Sequence, residues 1–184
     1  MAYLESGRVV TWPADDAILL VVTDGANYNH AVRQVAQAMA HRFQQGVYVT
    51  ANRPHHVLRE TLRSADIDLS RFFFIDCVTS LTGIMPAAEP SVMHVESPTM
   101  LEKMAMRAEQ VLRRNPGKPR FLILDSLSTL SVYNGSQTVA ELAHGLITKL
   151  RIQKIAAALI LVEKQAGEEL LDNVKPLCDD VLRV

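Results

Sequence analysis

The residues of this chain able to do chemistry sit where apolar runs end. Ala17–Val22 (AILLVV) leads into Thr23-Asp24-Gly25-Ala26-Asn27-Tyr28-Asn29-His30, and Phe121–Leu124 (FLIL) leads into Asp125-Ser126-Leu127-Ser128. Two chemistries suit such positions. A turn from strand to helix aims backbone N–H groups at an anion, and a carboxylate closing a strand orients magnesium beside a phosphate. A complete phosphate loop, G-x-x-x-x-G-K-[ST], adds glycines for close approach, a Lys for the outer phosphates and a hydroxyl for magnesium. Laid on that pattern, Thr23 stands at the first Gly, Tyr28 at the second, Asn29 at the Lys and His30 at the hydroxyl. None matches, and Asp24 adds a negative charge. A lost charge-assisted hydrogen bond costs about 1.5–3 kcal/mol. A like charge at about 4 Å costs up to about 4 kcal/mol at an effective dielectric near 20. Together these are enough to remove micromolar affinity for ATP. The helix start still offers N–H groups. Gly25, Asn27, Asn29, His30 and Ala31 are therefore the candidate nucleotide contacts, with Asp125 as the candidate magnesium ligand. The plainer readings are a strand-to-helix turn and an Asp that bonds local backbone. No catalytic residue is expected.

Other clusters carry weaker signals. His55-His56 with His30 suggests a metal site, but adjacent histidines point to different sides of a chain and no Cys or His spacing supports zinc. Cys77 after Asp76 suggests a nucleophile, though nothing nearby marks its base; Asp76, Cys77 and Asp125 would have to converge in one crevice. Glu163-Lys164 reads as a solvated ion pair or a partner contact. Arg107, Arg113, Arg114, Lys118 and Arg120 read as a solvated face, with an anion or partner patch as the alternative.

These residues need a frame, and the periodicity supplies one. Strands are expected at 17–22, 47–50, 72–76, 121–124, 156–162 and 179–184, with shorter ones at 92–95 and at an edge over 8–12. Between them lie stripes at helical spacing: Val32, Val35, Ala36, Met39, Ala40 and Phe43, with Asn27 or Asn29 as cap; Val57, Leu58, Leu62 and Ala65 after Pro54 at the first helical position; and Leu101, Met104, Ala105, Ala108, Val111 and Leu112 after Ser97-Pro98. Helix three stops at Asn115-Pro116-Gly117. Ser136 opens helix four, with Val139, Leu142, Ala143, Leu146, Ile147 and Leu150 inward. A short helix covers 168–177. Val78–Pro90 reads as a long loop, as does the segment holding Ser126 and Ser128. Alternating strands and helices with continuously apolar strands imply a parallel sheet covered on both faces, whose ligand crevice lies beyond the carboxyl ends of the strands.

With 184 residues, 48% of them hydrophobic, the chain is expected to form one domain, residues 1–16 being an N-terminal extension or edge strand. A formal net charge of -1 argues against a nucleic-acid partner. ILLVV and AAALILV are far short of the roughly 20 residues of a membrane span. The first residues do not read as a signal peptide. Two lone cysteines, Cys77 and Cys178, suit a reducing cytoplasm.

The segments VVTDGANYNHAV, GVYVTANRP, FFFIDCVT, FLILDSLSTL and ALILVEKQ resemble, in order and spacing, the core of the RecA/KaiC-like branch of P-loop ATPases. LILDSLSTL is the most specific piece. The likeness runs over most of 17–184 and is strongest to stand-alone archaeal-type members with a degenerate Walker A loop. It implies a three-layer fold, a mostly parallel sheet with helices on both faces. It also implies that the phosphate-loop strand neighbours both strand 156–162 and the Asp125 strand. A general-base Glu should follow strand two, where this chain has Thr50-Ala51-Asn52-Arg53. Lys, hydroxyl and base are thus all missing from their places. The reading is a pseudo-ATPase acting through a protein partner in a regulatory or assembly role, with a homo-oligomer suggested by the resemblance. The alternative is an unconventional ATP-binding protein, or slow ATPase, with magnesium on Asp125.

Overall fold

Continuous apolar runs become strands because each is covered on both faces. In the computed structural model, which describes residues 2–3, 10–83, 88–114 and 120–184, the strands are β1 (Ala2–Tyr3), β2 (Ile18–Thr23), β3 (Gln45–Thr50), β4 (Phe72–Asp76), β5 (Val92–His94), β6 (Arg120–Asp125), β7 (Ala156–Val162) and β8 (Asp180–Arg183). They form one sheet in the order β1-β8-β2-β7-β6-β3-β4-β5, every neighbouring pair parallel. The helices are α1 (Tyr28–Arg42), α2 (His55–Arg63), α3 (Leu101–Leu112), α4 (Leu127–Asn134), α5 (Ser136–Ile152) and α6 (Glu168–Val174). Among the described residues no helix is long and apolar enough to cross a membrane.

Alternation along each strand divides the core into two layers. Val21, Tyr48, Phe74, Ile123 and Ile160 face α1 and α2, packing on Val32, Val35, Met39, Leu58 and Leu62. Leu20, Val47, Ile75, Leu122 and Leu159 face the other way, onto Met104, Ala108, Val139, Ile147 and Leu170. The helical stripes expected from the sequence supply most of these contacts. Ala65 lies beyond the end of α2, and Val57 is on its exposed side.

Several expectations change. β2 does neighbour β7, but its other neighbour is β8; β7 separates it from the Asp125 strand β6. The segment after Asp125 is the helix α4, not a loop. Ser126 caps it by accepting the Thr129 N–H at 3.2 Å, and buried Ser128 exchanges hydrogen bonds with Val162 N and O at 2.7 and 3.2 Å. Ser126 thus starts α4, and Ser128 holds it against the end of β7. Helix α3 starts at Leu101, later than Ser97-Pro98, because those residues form a turn in which Met100 N bonds Ser97 O. Pro54 is the residue before α2 rather than its first. Residues 10–12 are not a strand: Val10 and Trp12 are buried beside α1, and the indole N–H donates to Ala17 O at 3.1 Å. The edge strand is Ala2–Tyr3, paired with β8. Residues 8–9, the stop at 115–117 and residues 84–87 of the 78–90 loop lie outside the described residues.

Gly46 precedes the strand expected at 47–50 but lies inside β3, in register with Phe72 and Phe121. The Phe121 ring lies over it: a Cβ there would come 2.4 Å from ring carbons. That ring is wedged between Phe43 and Phe72, with centroids 6.0 and 5.2 Å away. Gly46→Ala is expected to lower stability by about 1–3 kcal/mol through overpacking, read as a reduced urea midpoint.

Candidate functional site

The carboxyl ends of β6, β3, β4 and β5 form a row in register. Asp125 of β6 pairs with Thr50 of β3, Thr50 with Asp76 of β4, and Asp76 with His94 of β5. Registered residues of parallel strands point to one face, here the face carrying α1 and α2. Asp125, Thr50 and Asp76 are all fully buried. Each needs partners, because a buried polar group without them is costly.

Asp125 finds tyrosines. The Tyr28 hydroxyl lies 2.6 Å from both carboxylate oxygens, and the Tyr48 hydroxyl lies 2.7 Å from Oδ2. Tyr28 is the first residue of α1, at the place aligned with the second loop glycine, and its ring is buried. Tyr48 stands on β3, two residues before Thr50 and so on the same face. Arg53 closes the site from outside. Its guanidinium carbon is 4.7 Å from the Tyr28 ring centroid, a cation–π distance, and its Nη2 donates to Asn29 Oδ1 at 2.8 Å. Burial raises the Asp125 carboxyl above the ordinary range, while the two hydroxyls and Arg53 pull the other way. Burial and the neighbouring Asp125 charge likewise push Tyr28 and Tyr48 well above ordinary phenols, so both remain donors.

The turn before α1 is also occupied from within. Asp24 Oδ1 accepts the Asn27 N–H at 2.7 Å, and Oδ2 accepts Asn27 Nδ2 at 3.3 Å. Asp24, rather than Asn27 or Asn29, thus caps the start of α1; the Asn27 side chain makes no cap bond. Of the candidate nucleotide contacts, Gly25, Asn27, Asn29 and His30 are exposed and Ala31 is fully buried. The turn brings them near one another, but Asn29 already holds Arg53.

Asp76 is satisfied separately. Its oxygens accept from His55 N, Val78 N, Thr79 N and the Thr79 hydroxyl at 2.6–2.8 Å, and His55 Nδ1 is 2.8 Å away. Burial opposes ionisation, yet these donors hold the carboxyl down at about 2. Asp76, Cys77 and Asp125 do not converge: β3 lies between the two aspartates, and Cys77 packs in the opposite core layer, its thiol pushed up to about 12 by burial and by Asp76. The histidines also regroup. His30 and His56 are exposed, whereas His55 turns inward toward Asp76 and His94.

The basic cluster is spent locally. Arg113 pairs with Glu109 at 2.5 Å, Arg114 covers the Phe73 ring, and Arg120 bonds Leu112 O. Lys118 lies outside the described residues. Glu163 pairs with Arg183 rather than with Lys164. Sequence reasoning missed Tyr48, Glu89 and His94. The available signal was a tyrosine inside an otherwise apolar strand, since a buried phenol requires a polar partner.

Residues 17–184 match the model of a family of unknown function (DUF7504), and the chain belongs to that family. None of the curated proteins matches the sequence. Among solved structures it is similar to the uncharacterized protein PH0321 from Pyrococcus horikoshii, in complex with an unknown peptide (16% identity, 91% of this chain and 77% of the other, TM-score 0.66). It is also similar to the KaiC-like protein PH0186 from Pyrococcus horikoshii OT3 (14% identity, 91% and 70%, TM-score 0.58) and to the flagellar accessory protein FlaH from Methanocaldococcus jannaschii (13%, 91% and 70%, TM-score 0.59). At these identities the likeness establishes the fold, a RecA-like three-layer α/β architecture.

The tyrosine contacts give a pH-dependent expectation. A carboxyl raised by folding contributes stability below its ordinary value that is lost as pH rises through the raised one. Tyr28→Phe removes a donor to the ionised form and raises it further. The loss in unfolding free energy is expected to be about 1.5–3 kcal/mol at pH 8 and to shrink as Asp125 becomes protonated toward pH about 4, read from urea melts across that range.

Proposed function

We propose that this chain is a non-catalytic RecA/KaiC-like module, a pseudo-ATPase whose work is to bind another protein. One contact carries the reading: the Tyr28 hydroxyl on both oxygens of Asp125. In an ATPase of this fold that carboxylate would orient magnesium beside a phosphate loop. Here its oxygens are buried and engaged by two phenols, an arrangement that does not fit a metal ion carrying phosphate. Magnesium could reach Asp125 only after the Tyr28 side chain had left the core.

Three further features support the reading. Asp24 lies against the helix start where phosphate would add a second negative charge. Asn29 stands where the loop Lys would be, and Arg53 lies in the segment where the resemblance places a general base. A module that retains its fold without these groups acts through its surface. One structure similar in fold is in complex with a peptide, and we infer that a protein segment is the ligand class here, a second copy of the chain included. Leu81 in the 78–90 loop and Val132 and Tyr133 on α4 are 47, 73 and 45% exposed, large apolar side chains of the kind a partner would cover.

Calorimetry with ATP and magnesium tests the reading directly. No saturable heat is expected up to about 1 mM ATP, weaker than about -4 kcal/mol of binding. Saturable binding that Asp125→Asn abolishes, or release of phosphate on incubation, would overturn it.

A further inference from the structure

His55, Asp76 and His94 come from three elements and meet on the α1/α2 side of the sheet. Asp76 closes β4, His94 closes β5 in register beside it, and His55 opens α2. One ligand atom from each lies within 4.8 Å of the other two. His55 Nδ1 is 2.8 Å from Asp76 Oδ2. With metal bonds of about 2.0–2.2 Å, that separation is short enough to form one edge of a coordination polyhedron. The His55 and His94 rings meet edge to face, their centroids 5.3 Å apart.

Two observations distinguish this cluster from a packed pair of histidines. Both ring nitrogens of His94 are buried with no hydrogen-bond partner among the described residues. An imidazole in which neither nitrogen is met is unfavourable inside a protein, and a cation on one lone pair would relieve it. The far side of His55 is braced as well: Nε2 is 3.1 Å from Glu89 Oε1, and Glu89 Oε2 is held by Arg59 Nη1 at 2.5 Å. A carboxylate behind a ligating imidazole is how metal centres fix ring orientation.

We propose that His55, Asp76 and His94 bind a divalent first-row transition metal, with Glu89 orienting His55. Two imidazoles and one carboxylate suit zinc, cobalt, nickel or iron rather than magnesium or calcium. The ion joins the start of α2 to the edge strand β5, and Asp76 exchanges its bond with His55 Nδ1 for a shared ligand. Because β3 separates this centre from Asp125, the proposal stands apart from the reading of the nucleotide region.

The test uses the full chain, dialysed against EDTA and titrated with zinc, cobalt(II) and magnesium salts. One zinc per chain is expected, with a raised melting temperature; cobalt gives d–d absorption, and magnesium does neither. His94→Ala abolishes the zinc effect. Glu89→Gln weakens affinity by about 10–100-fold. His30→Ala and His56→Ala, at exposed histidines, leave it unchanged. Failure to bind one equivalent of zinc, or binding that survives His94→Ala, overturns the site. Should His94→Ala not fold, the cobalt form of the natural sequence decides. Hyperfine-shifted proton resonances from two imidazoles support the site, and resonances from fewer than two overturn it.

Discussion

A carboxylate buried at the end of a central strand dictates much of the surrounding structure. Asp125 has no exposure to water, and an ionised group in that position is tolerated only with donors around it. Two phenols meet the requirement from different layers. Tyr48 reaches it within the sheet, and Tyr28 reaches it from the first residue of α1. The second contact ties the start of α1 to β6, although β7 lies between β6 and the strand that leads into that helix. Arg53 covers the pair and links the segment after β3 to Asn29. A strand end, a helix start and a connecting segment thus share one electrostatic problem and its solution.

The same constraint recurs along the row of strand ends. Thr50 turns its hydroxyl to Arg53 O at 2.6 Å, setting the path of the connection into α2. Asp76 gathers donors from His55 and from the turn Val78–Thr79. Each buried polar residue has drawn a different segment over itself, and together these segments close the crevice of an open parallel sheet. His94 alone in the row has ring nitrogens with no hydrogen-bond partner among the described residues.

Charge at the helix start follows similar logic. The positive end of a helix attracts an anion, and in this chain that anion is internal. Asp24 sits three residues before Asn27 and accepts its N–H. A carboxylate in that role stabilises the turn and sets a negative charge at the helix start.

Local pattern alone fixes the alternation of strands and helices, the two-sided burial of the sheet, most of the helical stripes and the placing of Asp125 at a strand end. These follow from periodicity and from turn residues, which act over a few positions. Long-range packing settles which residues meet. Tyr28 and Tyr48 lie 97 and 77 positions from Asp125, and His55 and Asp76 are 21 apart; no local pattern reports such pairings. Strand order was equally out of reach: the insertion of β7 between β2 and β6 depends on which edges pair once the helices have packed. The helix α4 is hidden in the same way, because Ser126 and Ser128 look like loop residues until the end of β7 supplies Val162 as a partner for Ser128. A side chain's chemistry is written in its own position, but its burial and its partners belong to residues far along the chain.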